Sequence, residues 1–387
     1  MRRKLNWLFL SLFFFIYPVY AEGFTITGEN VILYNLNDDK VLYSKNENDK
    51  TQIASLTKIM TSLVALDTID NLNEKVTITL KDFNGTSGYS KAGFKVGDKV
   101  TYEDLIYGVL LPSGADAVNA IVNNTYGYKE FIKKMNEKAQ EIGMNDTKFS
   151  NPIGKDDDEN YSTANDVAKM LKYALENDEF KKIFTTRKYT TTNGVVLNST
   201  LNSYSAFLKT NIIDGAKSGF TKEAGRCLAS ITTLHDVSYL LVVINSSIDE
   251  AYNAVKDTIS IYTYYDENYS YQTIISDDTF IKEIPVHLSK TKTYKITGSE
   301  DVKVYLKNDA DVTYVYEGID KITYKTRKGT KLGTVKIYDG SNLIKESSLY
   351  LEEDICYYQI EIGVGILIVL ILIIVLKKKR KKRRRRR

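Results

Sequence analysis

Histidine is almost missing from these 387 residues: His235 and His287 are the only two. Neither lies near a nucleophile-like serine, so a Ser-His-Asp triad has no base to draw on. Cysteine is equally scarce, with Cys227 and Cys356 alone. Two cysteines are too few for a disulfide framework. No Cys/His cluster has metal-ligand spacing, which argues against a zinc site, and no cofactor is expected. Cys227 falls in the apolar run Cys227-Leu228-Ala229-Ser230-Ile231 and reads as a small buried hydrophobe. Excess positive charge is also missing from the body of the chain. The net charge is +4, but 14 basic residues sit at the two ends. Without them 39 Lys and Arg face 49 Asp and Glu, a net −10. A folded part of that sign excludes a polyanion partner such as nucleic acid.

A hydrolase without histidine needs another base, and a nearby unprotonated amine serves. Ser55-Leu56-Thr57-Lys58 places a serine and a lysine one helical turn apart. Alone the pattern is weak, because Ser289-Lys290-Thr291-Lys292 repeats it among polar strand edges. A Ser at the first turn of a buried helix gains from the helix N-terminus, which favours developing negative charge. Lys58 acts as a base only if its pKa falls, and burial beside a second cation achieves that. Lys217 is the candidate cation.

The ends of the chain predict a compartment. Met1-Arg2-Arg3-Lys4, an apolar run from Leu5 to Tyr20 and Ala21 read as a secretory signal over 1–21, with an uncleaved anchor as the alternative. Ile360 to Leu376 carries one charge, Glu361, and with Tyr357 and Tyr358 approaches the roughly 20 residues of a membrane span, read as 357–376. Lys377 to Arg387 are all Lys or Arg. Such a block stays cytoplasmic by the positive-inside rule and suits anionic lipid. The expected location is the cell membrane, single-pass, with the rest outside and a basic cytoplasmic tail over 377–387.

About 335 residues between signal and span exceed one ordinary core, so two domains are expected. The first, 22–270, opens with a hairpin, Val31-Ile32-Leu33-Tyr34 and Val41-Leu42-Tyr43. A buried helix follows from Ser55. Thr101-Tyr102-Glu103-Asp104 resembles a capping box. Its helix runs to Leu111 and Pro112-Ser113-Gly114 interrupts it, with another helix from about Asp116 to Asn124. Lys129 to Ile142 is amphipathic and stops at Gly143. After one more helix from Ser162-Thr163, an antiparallel meander spans Ala216 to Phe220, Cys227 to Thr233 and Tyr239 to Ile244. A helix from Glu250 covers it. From 276 to 353 short alternating runs with turns at Lys328-Gly329 and Asp339-Gly340 predict a small all-β module.

Two segments supply chemistry to complement Ser55. Pro112-Ser113-Gly114-Ala115-Asp116 puts a hydroxyl on a tight loop. Lys217-Ser218-Gly219 puts a cation, a hydroxyl and a glycine on a strand, where glycine admits close approach. The backbone N–H of Phe220 could join that of Ser55 in an oxyanion hole.

Ser-x-x-Lys, then Ser-x-Asn on a helical loop, then Lys-Thr-Gly on a strand is the signature of penicillin-binding proteins and serine β-lactamases. The chain resembles it in order and context, and is most similar to the low-molecular-mass, serine-type D-alanyl-D-alanine carboxypeptidases. The likeness is carried by Ile53 to Thr61, Leu110 to Ala117, Met144 to Pro152, Asp214 to Thr221 and, for the β-rich module, Arg327 to Val335. It runs from about Val31 to Glu353. It implies an α+β transpeptidase-like domain, an antiparallel sheet plus a helical block, followed by a small all-β domain and a transmembrane helix. It implies that Ser55 attacks the carbonyl between the two terminal D-alanines of a peptidoglycan stem peptide, that Lys58 takes its proton and that Ser113 relays a proton to the leaving amine. Lys217 and Ser218 would hold the substrate carboxylate, beside Gly219 and Phe220, and β-lactams would inhibit. The chain departs from the family at Ala115, where Asn is usual, and at Ser218 for Thr. An arginine common near the start of the last helix is replaced, by Ala254 or Val255. A β-lactamase is the second reading, without the class A Glu-x-x-Leu-Asn. A weakly active or non-catalytic homologue, favoured by Ala115, is the third.

Overall fold

The computed structural model describes residues 23–384 apart from 207, 288, 290, 324 and 356–358. The expected signal, 1–21, lies outside the described residues. The chain divides into two compact units between Glu267 and Asn268.

In the first unit, strands β1 (Asn30–Asn35) and β2 (Lys40–Lys45) form the expected hairpin. A 3-10 turn, Ala54–Leu56, then leads into helix α1 (Thr57–Thr68), so Ser55 precedes the α-helix rather than opening it. Every residue of α1 from Thr57 to Ala65 is buried, as expected of a helix packed on all sides. Short strands β3 (Lys75–Thr77) and β4 (Lys99–Thr101) pair before helix α2 (Tyr102–Leu110). The predicted capping box starts α2: Thr101 Oγ1 accepts from the Asp104 N–H, and the Asp104 carboxylate accepts from the Thr101 N–H.

Helices α3 (Ala115–Asn124) and α4 (Tyr128–Ile142) follow, and α4 stops at Gly143 in the left-handed region. Thr163 caps α5 (Ala164–Ala174), and α6 (Asp178–Thr185) leads to the small hairpin β5 (Lys188–Thr190) and β6 (Val196–Asn198). The predicted meander is β7 (Gly215–Thr221), β8 (Gly225–Leu234) and β9 (Val237–Ser246), closed by α7 (Asn253–Asn268). β1 pairs with β9, giving one antiparallel sheet in the order β2-β1-β9-β8-β7. The helical block buries Ile59, Met60 and Leu63 of α1, Ile106 and Val109 of α2 and Val118 and Ile121 of α3 in one core with Ala229, Val242 and Ile244 of the sheet. β7 is one of the two edge strands, β2 being the other. It therefore leaves every second backbone N–H and C=O without a neighbouring strand.

The second unit is all-β through its folded part. Its strands are β10 (Tyr269–Ile275), β11 (Phe280–His287), β12 (Thr293–Thr297), β13 (Val302–Lys307), β14 (Val312–Gly318), β15 (Ile322–Thr323), β16 (Lys331–Asp339) and β17 (Asn342–Tyr350). They make small sheets, β10-β13, β12-β11-β15 and β14-β16-β17, around Ile275, Ile284, Ile296, Val335 and Ile337. A final helix, α8 (Gln359–Arg384), exposes Val364 through Leu376 apart from half-buried Gly365. Among the described residues no helix is long and apolar enough to cross a membrane. The predicted span begins at 357 and 358, which lie outside them, and the side chains of 359–362 are not described either.

Candidate active site

Three segments distant in sequence meet at one cleft of about 280 Å³ in the first unit. Ser55 and Lys58 line it from the 3-10 turn and α1, Ser113 from the loop between α2 and α3, and Ser218, Gly219 and Phe220 from β7. Six of the seven expected site residues thus share one wall. Lys217, the seventh, does not line the cleft. It is fully buried, and its ammonium donates to the Ser218 carbonyl at 2.8 Å.

Ser55 and Lys58 are in direct contact. The Lys58 amine sits 2.9 Å from Ser55 Oγ and donates to the Ile153 carbonyl at 2.7 Å. Lys58 is 1% exposed. Burial holds its amine well below the usual lysine range, the Lys217 charge pushes it further down, and Asp116 opposes both. Burial alone brings Lys217 down to about 7. Burial and the nearby Lys217 charge together favour the neutral form of Lys58. An amine that keeps one N–H on Ile153 and is neutral has its lone pair left for a hydroxyl proton.

The backbone around Ser55 is set by close approaches. Ala54 is held at φ 45°, in the left-handed region that side-chain-bearing residues avoid. Gly154, at φ 84°, packs so tightly on it that a Cβ there would lie 1.9 Å from the Ala54 carbonyl oxygen. On the other side a Cβ at Gly219 would lie 2.9 Å from the Ser55 nitrogen. Only a bare backbone brings β7 this close to the Ser55 N–H. Ser113 is likewise strained, at φ 66°.

Several residues that build the site were not singled out from the sequence. Asn151 Oδ1 accepts from the N–H groups of Gly154 and Lys155 at 2.8 and 2.9 Å, folding the turn that presents the Ile153 carbonyl to Lys58. Its signal was Asn-Pro-x-Gly, a turn sequence. Asp116, left without a role by the sequence, is fully buried and accepts from the N–H groups of Ala92 and Gly93 at 2.7 and 3.3 Å. The Ala115 N–H donates to the Ser90 carbonyl at 2.8 Å, so these residues fasten the 88–93 wall of the cleft to the Ser113 loop. Ala115 itself is buried and does not line the cleft. Thr200 Oγ1 lies 2.8 Å from Ser218 Oγ and fixes that hydroxyl. Ser289, the decoy, stands in the second unit with its hydroxyl 3.1 Å from that of Thr291. No group of His, Cys, Asp and Glu suited to a metal occurs among the described residues.

A family profile described as D-alanyl-D-alanine carboxypeptidase matches residues 18–248. A second, described as the C-terminal domain of penicillin-binding protein 5, matches residues 269–356. The chain is 28% identical over 341 residues to D-alanyl-D-alanine carboxypeptidase DacF of Bacillus subtilis (strain 168), covering 85% of this chain and 86% of that one. It is 32% identical over 261 residues to D-alanyl-D-alanine carboxypeptidase DacC of Escherichia coli (strain K12), covering 62% of each. Penicillin binding protein 5 from Haemophilus influenzae shares the fold, with a TM-score of 0.63 at 23% identity over 86% of this chain and 98% of that one. The Streptomyces K15 DD-transpeptidase superposes with a TM-score of 0.57 at 30% identity, over 63% of this chain and 98% of its own. On the extent of the first match the chain belongs to the D-alanyl-D-alanine carboxypeptidase family.

Proposed function

We propose that the chain removes the terminal D-alanine from peptidoglycan stem peptides through an acyl-enzyme on Ser55. The observation that carries this reading is the buried Lys58 amine, 2.9 Å from Ser55 Oγ and favoured as the neutral base. Ser55 Oγ attacks the carbonyl between the last two D-alanines while its proton passes to Lys58. The N–H groups of Ser55 and Phe220 receive the oxyanion, a role suited to backbone donors at the close approach of β7 to the 3-10 turn. The substrate lies along the free edge of β7 in the manner of an added strand. Collapse breaks the C–N bond, and Ser113 passes a proton to the departing D-alanine amine. Water then cleaves the ester. Lys217 acts from beneath, through its charge and its hold on the Ser218 carbonyl.

The same reading extends to place. The apolar run of α8 continues the uncharged sequence from Ile362, and 11 basic residues close the chain. A single-pass anchor with the catalytic unit outside and the basic tail on the cytoplasmic face puts the site where its substrate is.

Incubation of the full-length chain with a fluorescent penicillin and with a stem pentapeptide tests the reaction. Covalent labelling that disappears in Ser55→Ala, together with release of one D-alanine, is expected. Rapid turnover of the penicillin would instead indicate a β-lactamase. Absence of both labelling and release would leave a non-catalytic homologue, which Ala115 favours.

A further inference from the structure

The cleft contains one cation that the reaction as described does not use. Arg226 lines it from β8, directly opposite Phe220 of β7 in the strand register. Its guanidinium lies 3.7 Å from the centre of the Phe220 ring, a stacking geometry that orients the planar fork without neutralising it. The register between β8 and β9 shifts between Arg226 and Leu228, the kind of irregularity that re-aims a side chain. Arg226 Nε is buried and has no hydrogen-bond partner, and among the described residues no carboxylate pairs with the guanidinium. A buried guanidinium N–H left unpaired is costly, and such groups in native proteins call for an explanation.

The rest of the lining makes the vacancy specific. Among the described residues Lys58 is the only other charged-type residue on the wall, and it is committed to Ser55 and Ile153. Lys217 does not reach the cleft. Ala251, Ala254 and Val255 bring no charge from α7 or the turn before it. A peptide that places its scissile carbonyl over Ser55 has its C-terminal carboxylate one residue further on, beyond Gly219 and Phe220. Arg226 lines that same cleft opposite Phe220, which makes its fork the candidate partner for this carboxylate. We propose that Arg226 is the group that binds the substrate's terminal carboxylate, with the Ser218 hydroxyl beside it. The assignment rests on the carboxypeptidase reading of the cleft. It makes the enzyme select peptides ending in a free carboxylate through a residue of β8 rather than of α7.

The full-length chain, Arg226→Met and Arg226→Lys are compared on a stem pentapeptide and on its C-terminal amide. Acylation by benzylpenicillin and by its methyl ester is measured in parallel. Arg226→Met keeps a long unbranched side chain beside Phe220 and removes the fork. It should lower kcat/KM on the free-acid peptide about 10- to 100-fold, mostly through KM, and slow benzylpenicillin acylation comparably. The amide and the methyl ester should be unaffected, and Arg226→Lys should recover part of the loss. Equal losses on charged and uncharged substrates, or no loss on either, would overturn the assignment while leaving the carboxypeptidase reading intact. If the parent chain releases no D-alanine the carboxypeptidase reading fails, and the penicillin pair still judges Arg226. A parent chain that neither cleaves nor is acylated overturns both.

Discussion

Two buried lysines dominate the site at the scale of single residues. The proposed reaction requires Lys58 neutral and Lys217 charged; burial lowers both amines, and the Lys217 charge adds to the effect on Lys58. The pH profile of kcat/KM is therefore expected to be a bell. Its acid limb belongs to Lys58 and its alkaline limb, near pH 7 in the free enzyme, to Lys217. Lys217→Arg, which cannot lose its proton, should remove the alkaline limb while lowering the maximum. The same burial costs stability. An unfolded lysine titrates near 10.5 and the folded Lys217 near 7, so between those values the unfolded chain binds more protons and stability rises with pH. Below pH 7 the folded protein carries the full penalty of the buried charge. Lys217→Met should accordingly raise Tm at pH 6, flatten the dependence of Tm on pH up to 10.5, and abolish turnover. Thermal melts across that range, beside the peptide assay, check both halves.

Single elements matter here through the distances they hold. The Asn151–Gly154 turn presses on Ala54 and lends its carbonyl to Lys58. In Gly154→Ala a methyl group and a strained φ arrive together, which should displace Ser55, abolish penicillin labelling and lower Tm. Asp116→Ala strips the acceptor from two backbone N–H groups and should cost about 1–3 kcal/mol in denaturant unfolding, with a raised KM from a loosened 88–93 wall. These elements also mark where the sequence could and could not be read. The hairpin, the meander, the capping box at Thr101 and the stop at Gly143 were legible, because each is written in local chemistry. Ser55, Lys58, Ser113 and the β7 residues were legible as motifs. Asp116, Gly154 and Arg226 were not, since their roles depend on which strand or loop lies opposite, and no spacing along one chain records that. The 3-10 turn before α1 escaped for a related reason: Ala54 sits at φ 45° against Gly154, an approach that no local spacing records.

The molecule as a whole joins a catalytic unit, a β-rich unit and an apolar helix with a basic end. If that helix anchors the chain, a protein ended at residue 355 should appear in the soluble fraction after export and still be labelled by penicillin. The full chain should sediment with membranes and leave them only in detergent. Recovery of the full chain in the soluble fraction would count against the anchor. One last feature gives the intact protein a gauge of its own condition. The Cys227 thiol lines the catalytic cleft but is 1% exposed, donates to the Ala224 carbonyl and is pushed up to about 12 by burial. At neutral pH only about one part in 10⁵ is thiolate, too little to react with an alkylating reagent. With Cys356 replaced by serine, the rate of alkylation becomes a clock for opening of the sheet beneath the active site. An acyl group on Ser55 that steadies the cleft would make that clock run slow.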